Sequence, residues 1–167
     1  MMILLFLAGA AWAQPVDSRQ QQIVFRSVNV VAMDNDRVLE NQDVVVSAGK
    51  IVSVSPTAKK SPKGALVIEA KGKYLIPGLT EMHAHVPPID NIEPMKEVLV
   101  LFAANGVTTI RGMLGHPLHL ELRSKIQSGE ILGPRFITSG PSFNGLSVKT
   151  PEGAEKMVRE QKAAGYD

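Results

Sequence analysis

Cysteine is absent from all 167 residues of the sequence, and its absence excludes several kinds of site. Without thiols the chain forms no disulfide, no thiolate zinc site, no iron–sulfur cluster and no cysteine nucleophile. Any metal must therefore be held by histidine, by carboxylate or by a modified side chain. Because only four histidines are present, the position of each one is informative.

A large excess of charge of either sign is also missing. The 18 Lys and Arg residues oppose 16 Asp and Glu residues, and the formal net charge is +2. This excess is too small to predict nucleic acid as the main partner. Hydrophobic residues make up 44% and charged residues 20% of the chain, which is typical of a folded globular domain rather than a disordered segment.

Long hydrophobic runs are missing too, apart from a short one at the N-terminus. Residues 1–13 carry no charged side chain and end in Ala11-Trp12-Ala13, an A-x-A cleavage pattern. We interpret residues 1–13 as a signal peptide cut before Gln14, which predicts an exported protein, periplasmic or secreted. The run is too short for a membrane span, which needs about 20 apolar residues. A buried N-terminal helix is the alternative.

The residues up to 78 are rich in β-strand patterns. Runs of β-branched and apolar residues predict strands at 23–25, 28–32, 43–47, 50–54, 65–70 and 73–76. Ala48-Gly49, between the third and fourth of these runs, is typical of a tight hairpin turn. We therefore predict a β-rich N-terminal domain over residues 14–78.

The pattern changes after this domain. Strand-like runs begin at Leu79, Val107 and Arg135, at intervals of 28 residues. Helical patterns follow them, and these start at Pro94, Pro117 and Pro151. Alternation of strand and helix predicts an α/β fold with a parallel sheet. Since a (β/α)8 TIM-type barrel uses about 31 residues per unit, residues 79–167 predict three βα units of an incomplete barrel. A small complete sheet of three parallel strands is the alternative.

Two of the four histidines, His83 and His85, stand at the end of the first parallel strand. Side chains at positions i and i+2 of a strand point to the same face, so both imidazoles can reach one point. In a (β/α)8 barrel the carboxyl ends of the strands build the active site. The pair therefore predicts a divalent-metal site, and zinc is the metal that such ligands suggest first.

The segment that contains these histidines resembles a known motif. Residues 72–85 read GKYLIPGLTEMHAH and are similar to the opening metal motif of the amidohydrolase superfamily, whose common form is P-G-L-x-D-x-H-x-H. Further segments resemble the imidazolonepropionase-like and prolidase-like branch of that superfamily; they are residues 107–111, 126–135 and 139–141. The resemblance covers about residues 23–167, and Glu81 departs from the common Asp.

The resemblance implies a fold and an activity. The β-rich domain would be the small β-sandwich that these enzymes carry before the barrel. The activity would be hydrolysis of an amide, peptide or cyclic amide C–N bond in a small molecule or dipeptide-like substrate. One or two metal ions would activate water and polarise the scissile carbonyl.

The resemblance also implies metal ligands that these residues lack. His83 and His85 would be two ligands, and a carboxylated Lys, two His and an Asp base would come from strands after residue 167. We therefore expect the 167 residues, as an N-terminal fragment, to bind metal weakly and to be inactive alone.

Three further places in the sequence carry candidate substrate contacts. Arg111 ends the second parallel strand and binds either a substrate carboxylate or a structural ion-pair partner. His116 and His119 either contact substrate or lie partly exposed near a helix start. The segment of residues 142–145 either lines the pocket, with Asn144 as a substrate contact, or forms a simple turn.

Two rival functions stay open from the sequence. One is a non-catalytic, secreted β-rich binding module with a short α/β extension. The other is a shortened paralogue that binds metal without chemistry. Three barrel units leave an open sheet edge and uncovered helix faces, so we also expect self-association, either as a homo-oligomer or as aggregate.

Overall fold

The computed structural model describes residues 21–58 and 60–167. The signal peptide predicted over residues 1–13 lies outside the described residues. The chain divides into two compact units, Met1–Pro77 and Gly78–Asp167. Among the helices of the described residues, none is long and apolar enough to cross a membrane.

The first unit is built on a five-stranded mixed sheet. Its strands are β1 (Ile23–Val30), β2 (Leu39–Ser47), β3 (Lys50–Pro56), β4 (Leu66–Glu69) and β5 (Tyr74–Leu75). They lie in the order β3-β2-β1-β4, and β5 also pairs with β1. The neighbours β1–β2 and β2–β3 are antiparallel, whereas β1 pairs in parallel with β4 and β5.

The turn between β2 and β3 confirms the hairpin predicted at Ala48-Gly49. Both residues have positive φ, 49° and 73°, which is the combination of a type I′ turn. This turn has the twist that two antiparallel strands need. Glycine adopts its conformation without steric cost, and Ala48 is held in it by the pairing of the flanking strands.

A buried carboxylate holds the irregular part of β1. The sequence predicts two strand runs here, but the structure has one strand with a shift of register after Phe25. Asp43 is 5% exposed, and its carboxylate accepts the backbone N–H groups of Ser27 and Ala58, each at 3.0 Å. Burial raises the pKa of the Asp43 carboxyl, but the hydrogen bonds from Ala58 and Ser27 outweigh it and hold the pKa below its ordinary value.

The second unit alternates strand and helix. Its elements are β6 (Leu79–His85), α1 (Ile92–Ala104), β7 (Val107–Met113), α2 (Pro117–Ser128), β8 (Arg135–Thr138) and α3 (Pro151–Ala164). The three strands form a parallel sheet in the order β6-β7-β8. This arrangement confirms the prediction of parallel βα units, and α2, β8 and α3 begin at the residues that the sequence predicts.

Helices cover one face of this sheet. Strand residues pack there against α1 and α2, and the buried cluster comprises Ala84, Val86, Met95, Leu99, Ile110, Leu122 and Phe136. Along β7 the burial alternates, with Ile110 buried and Arg111 exposed, as the two-residue period of a strand requires. The opposite face of the strands is therefore free to carry polar side chains.

Helix α1 begins two residues earlier than the sequence pattern predicts. Asn91 caps it, because its side-chain oxygen accepts the Glu93 N–H at 3.1 Å. Pro94 then lies in the first turn of the helix, where a missing N–H loses no hydrogen bond. The proline is therefore a marker of the first turn rather than of the first residue.

Candidate metal centre

His83 and His85 lie on the same face of β6, near its carboxyl end. Their ring centroids are 5.2 Å apart, and the ring planes are inclined by 65°. Both side chains are exposed, whereas Ala84 between them is 2% exposed and packs in the core under the helices. The two imidazoles therefore point away from the helix layer.

The spacing of the two rings suits a shared ion. A zinc–nitrogen bond of about 2.1 Å puts an imidazole centroid about 3.2 Å from the metal, and at the tetrahedral angle two such centroids are about 5.2 Å apart. The observed separation has this value. The pair thus fits two positions of a four-coordinate metal, with both ligands on one rigid strand.

A β-bulge lies at the first of the two histidines. Glu81 pairs with Ile110 and Ala84 pairs with Gly112, so three residue steps on β6 match two steps on β7. The Glu81 carboxylate accepts the His83 N–H at 2.8 Å and so gives this backbone group a partner within the bulge. Since bulges redirect the side chains of a strand, Glu81 helps to set the direction of the His83 ring.

A cavity of about 490 Å³ opens beside the two histidines. Its walls come from the ends of β6 and β7, the loop after β8, and α3. The lining residues are His83, His85, Met113, Leu114, Ser139, Gly140, Pro141, Ser142, Phe143 and Gln161. All of them belong to the second unit, and the strands contribute their carboxyl ends, where (β/α)8 enzymes build their active sites.

Two loops around the cavity are locked together. The Gly115 N–H donates to the Gly140 carbonyl at 3.0 Å, and a Cβ atom at Gly115 would lie 1.6 Å from the Ser139 carbonyl oxygen. Only glycine fits there. Leu114 just before it has a φ of 55°, a conformation rare for bulky residues and concentrated at functional sites.

His116 and His119 together cap α2. His116 is the N-cap, and its Nδ1 accepts the Leu118 N–H at 3.3 Å. His119 is completely buried and not partly exposed as the sequence suggests. Its Nδ1 accepts the His116 N–H at 3.2 Å, and its Nε2 lies 3.2 Å from the Pro87 carbonyl oxygen.

This bonding assigns the protonation of His119. Because Nδ1 accepts a hydrogen bond, the ring proton belongs on Nε2, which donates to the Pro87 carbonyl. Burial lowers the pKa of His119, against the opposing effect of the bond to Pro87. The neutral ring thus links the start of α2 to the loop that follows the histidine pair.

The three candidate substrate contacts lie outside the walls of this cavity. Arg111 is exposed on β7, and His116 serves as the N-cap of α2. Asn144 forms the turn that was the alternative for it, since its side-chain oxygen accepts two N–H groups of its own loop at 2.8 and 3.1 Å. Their roles in substrate binding stay predictions.

The cavity walls are only partly foreseen by the sequence. Ser142 and Phe143, from the segment predicted after the third parallel strand, do line the cavity. Sequence reasoning missed Leu114 and Gln161. A bulky residue before glycine at a strand end is a usable signal for Leu114, but Gln161 carries none, because its position depends on the packing of α3.

The described residues supply only part of a metal site. Within residues 21–58 and 60–167 there is no cluster of three or more His, Cys, Asp or Glu side chains that could hold a metal ion. His83 and His85 fit two of the four positions that zinc takes in proteins. As ligands, the two imidazoles would supply half of such a set.

Curated proteins similar in sequence match part of the chain. A dihydroorotase of Carboxydothermus hydrogenoformans is 36% identical over 63 residues, which are 38% of this chain and 14% of the relative. No family model matches the sequence. The chain thus spans a small part of the length of this relative.

Solved structures match most of the chain. A protein described as a prolidase from Bifidobacterium longum superposes with a TM-score of 0.77 and 30% identity, over 87% of this chain and 39% of that protein. A structure described as an amidohydrolase superposes with a TM-score of 0.73 and 23% identity, over 88% of this chain and 45% of that protein. Over the part of these proteins that it spans, the chain is similar in sequence and in fold to proteins of the amidohydrolase superfamily, and it covers less than half of the length of each.

Proposed function

We propose that this chain provides the first two metal ligands, His83 and His85, of a metal-dependent hydrolase that cleaves C–N bonds. The observation that carries the proposal is the ring separation of 5.2 Å on one strand face, a value compatible with two ligands of one tetrahedral ion. The likeness to a dihydroorotase and to a prolidase supports the reaction class. Imidazole ligands favour zinc among the divalent metals.

The chemistry of the bound metal would be that of a Lewis acid, which lowers the pKa of a bound water to about 7 and polarises the scissile carbonyl. The residues of this chain hold and surround that centre. His83 and His85 supply nitrogen ligands from a rigid strand, and Glu81 fixes the bulge beneath the first of them. Leu114 and Phe143 line one side of the cavity with apolar surface.

The substrate of the proposed enzyme is a small molecule or dipeptide-like compound. The prolidase-like structure with 30% identity supports a dipeptide-like class. The chain spans 39% of that structure, so the remaining ligands and the general base belong to the proposal and not to the described residues. We expect no turnover from residues 1–167 by themselves, because two imidazoles leave the ion half coordinated.

Export and self-association are parts of the same proposal. The A-x-A pattern at residues 11–13 supports export by a signal peptide. Exposed apolar side chains support self-association; they include Ile51 on β3, Leu66 on β4 and Leu132 before β8.

The proposed activity is tested on the whole protein that the gene containing these 167 codons encodes, not on residues 1–167 by themselves. This protein is loaded with zinc, and amine release from a panel of dipeptides and cyclic amides is measured. We expect hydrolysis that a chelator abolishes and that His83→Ala and His85→Ala each reduce by at least about a hundredfold, the upper end of the loss seen when a residue that only supports a metal ligand is replaced. Leu146→Asn, which changes a side chain that is 87% exposed and outside the cavity walls, is the control.

Hydrolysis that persists in the chelated protein or in both histidine variants would overturn the proposal. Zinc binding without hydrolysis of any C–N substrate would instead favour the shortened metal-binding paralogue.

A further inference from the structure

The walls of the cavity beside the histidine pair are of one chemical kind. Apart from the two imidazoles, the residues that line it are apolar or uncharged, and they include Met113, Leu114, Pro141 and Phe143. Not one Asp, Glu, Lys or Arg is among these described lining residues. This side of the candidate metal centre therefore has no partner for a charged group.

The polar side chains of the walls are largely engaged within the protein. The Gln161 side-chain amide donates to the Pro141 carbonyl at 2.7 Å. The Ser139 hydroxyl donates to the Gly140 carbonyl at 3.2 Å. What the walls offer a ligand is consequently apolar contact rather than hydrogen bonds.

Close contacts hold the two loops that line the cavity. Leu114 has positive φ next to Gly115, where a Cβ atom would meet the backbone of Ser139 and Gly140. Gly140 packs against the end of the Gln161 side chain. A volume of about 490 Å³ is within the range of small-molecule sites and accommodates one large side chain.

We propose that this cavity is the subsite for an uncharged, apolar substituent of the substrate, the size of a leucine, methionine or phenylalanine side chain, attached next to the scissile C–N bond. The inference rests on the proposed function, because it needs the reacting carbonyl at an ion held by His83 and His85. It adds a preference that the histidine pair does not specify, namely for an apolar rather than an acidic or basic substituent next to the scissile C–N bond.

Binding of matched chelating probes tests this subsite without requiring turnover. The zinc-saturated chain is titrated with phenylacetohydroxamate, acetohydroxamate and succinic monohydroxamate, which share one metal-binding group. We expect the phenyl compound to bind at least tenfold more tightly than the other two. We also expect it to shift the methyl NMR signals of Met113 and Leu114.

One substitution and its control separate the subsite from general effects on folding. Leu114→Asn keeps a residue that tolerates positive φ and should reduce the phenyl preference to less than threefold. Leu146→Asn changes a leucine that is 87% exposed and outside the walls, and it should leave the preference unchanged. Circular dichroism checks the fold of both variants.

Two negative results are distinguishable. If zinc saturates His83 and His85 but the three hydroxamates bind equally, the apolar subsite is overturned while the proposed metal site stands. If zinc does not bind the histidine pair at all, the proposed function falls and the subsite falls with it.

Discussion

Replacement of His119 by phenylalanine tests how the loop after the histidine pair is held. The ring of His119 is completely buried and bonds the His116 N–H and the Pro87 carbonyl through its two nitrogens. Phenylalanine leaves no cavity and cannot form either hydrogen bond, and its larger ring adds some overpacking at this buried site.

The size of the effect follows from the two groups that lose their partner. A buried donor or acceptor without a partner costs about 1–3 kcal/mol, so the loss of two partners in His119→Phe should lower the free energy of unfolding by about 2–6 kcal/mol. The control is His116→Asn, because asparagine is among the best N-cap residues and the pair of His116 with the exposed Asp90 contributes little. We expect a change below about 0.5 kcal/mol for the control.

Urea unfolding followed by circular dichroism at 222 nm measures both variants, since the helices of the described residues all lie in the second unit. A change in His119→Phe no larger than in His116→Asn would refute the assigned hydrogen bonds.

The same residue predicts a dependence of stability on pH. Burial lowers the pKa of His119 in the folded chain below its ordinary 6.5, so on acidification the unfolded chain takes up a proton that the folded chain resists. Stability should therefore fall as the pH drops below about 6.5. His119→Phe should lose this slope, and an unchanged slope in the variant would assign it to another group.

Three further predictions concern the loop at Gly115, the buried carboxylate of the first unit and the bulge in β6. Gly115→Ala should destabilise the second unit in thermal unfolding or displace the loop after β8, because the new Cβ would lie 1.6 Å from the Ser139 oxygen. Gly145→Ala is the control and should leave thermal unfolding unchanged, because nothing lies within 4 Å of its Cβ. Asp43→Asn should speed hydrogen exchange of the Ser27 and Ala58 amides. Because folding lowers the pKa of the Asp43 carboxyl, the wild type has stability from it above about pH 3.8 and loses this stability at lower pH, and the variant should lack it. Asp36→Asn, at an exposed position, is the control. Glu81→Gln should keep the hydrogen bond to the His83 N–H and should bind zinc as the wild type does. Glu81→Ala loses this bond and should bind zinc several-fold more weakly in calorimetry. Equal zinc affinities of the two variants would show that the bulge does not position His83.

Features set by neighbouring residues could be predicted from the sequence. The Ala48-Gly49 turn, the proline starts of α2 and α3, and the common face of His83 and His85 each depend on two to four adjacent positions. Their spacing is visible in the chain itself.

Features that depend on distant contacts could not be predicted. The burial of His119 depends on a carbonyl 32 residues away, and the position of Gln161 depends on a loop 20 residues before it. The bulge at Glu81 depends on the register of a neighbouring strand. The common strand face of His83 and His85 is therefore predictable from the sequence, whereas the walls of the cavity beside them are predictable only in part.

Zinc titration of the chain with 15N-labelled histidine tests the central claim most directly. We predict that the imidazole nitrogens of His83 and His85 shift together with one weak affinity, while those of His116 and His119 stay unchanged. In His83→Ala the affinity measured at His85 should fall at least tenfold. A His85 signal that titrates as before in His83→Ala, or a zinc shift centred on His116 and His119, would contradict the account.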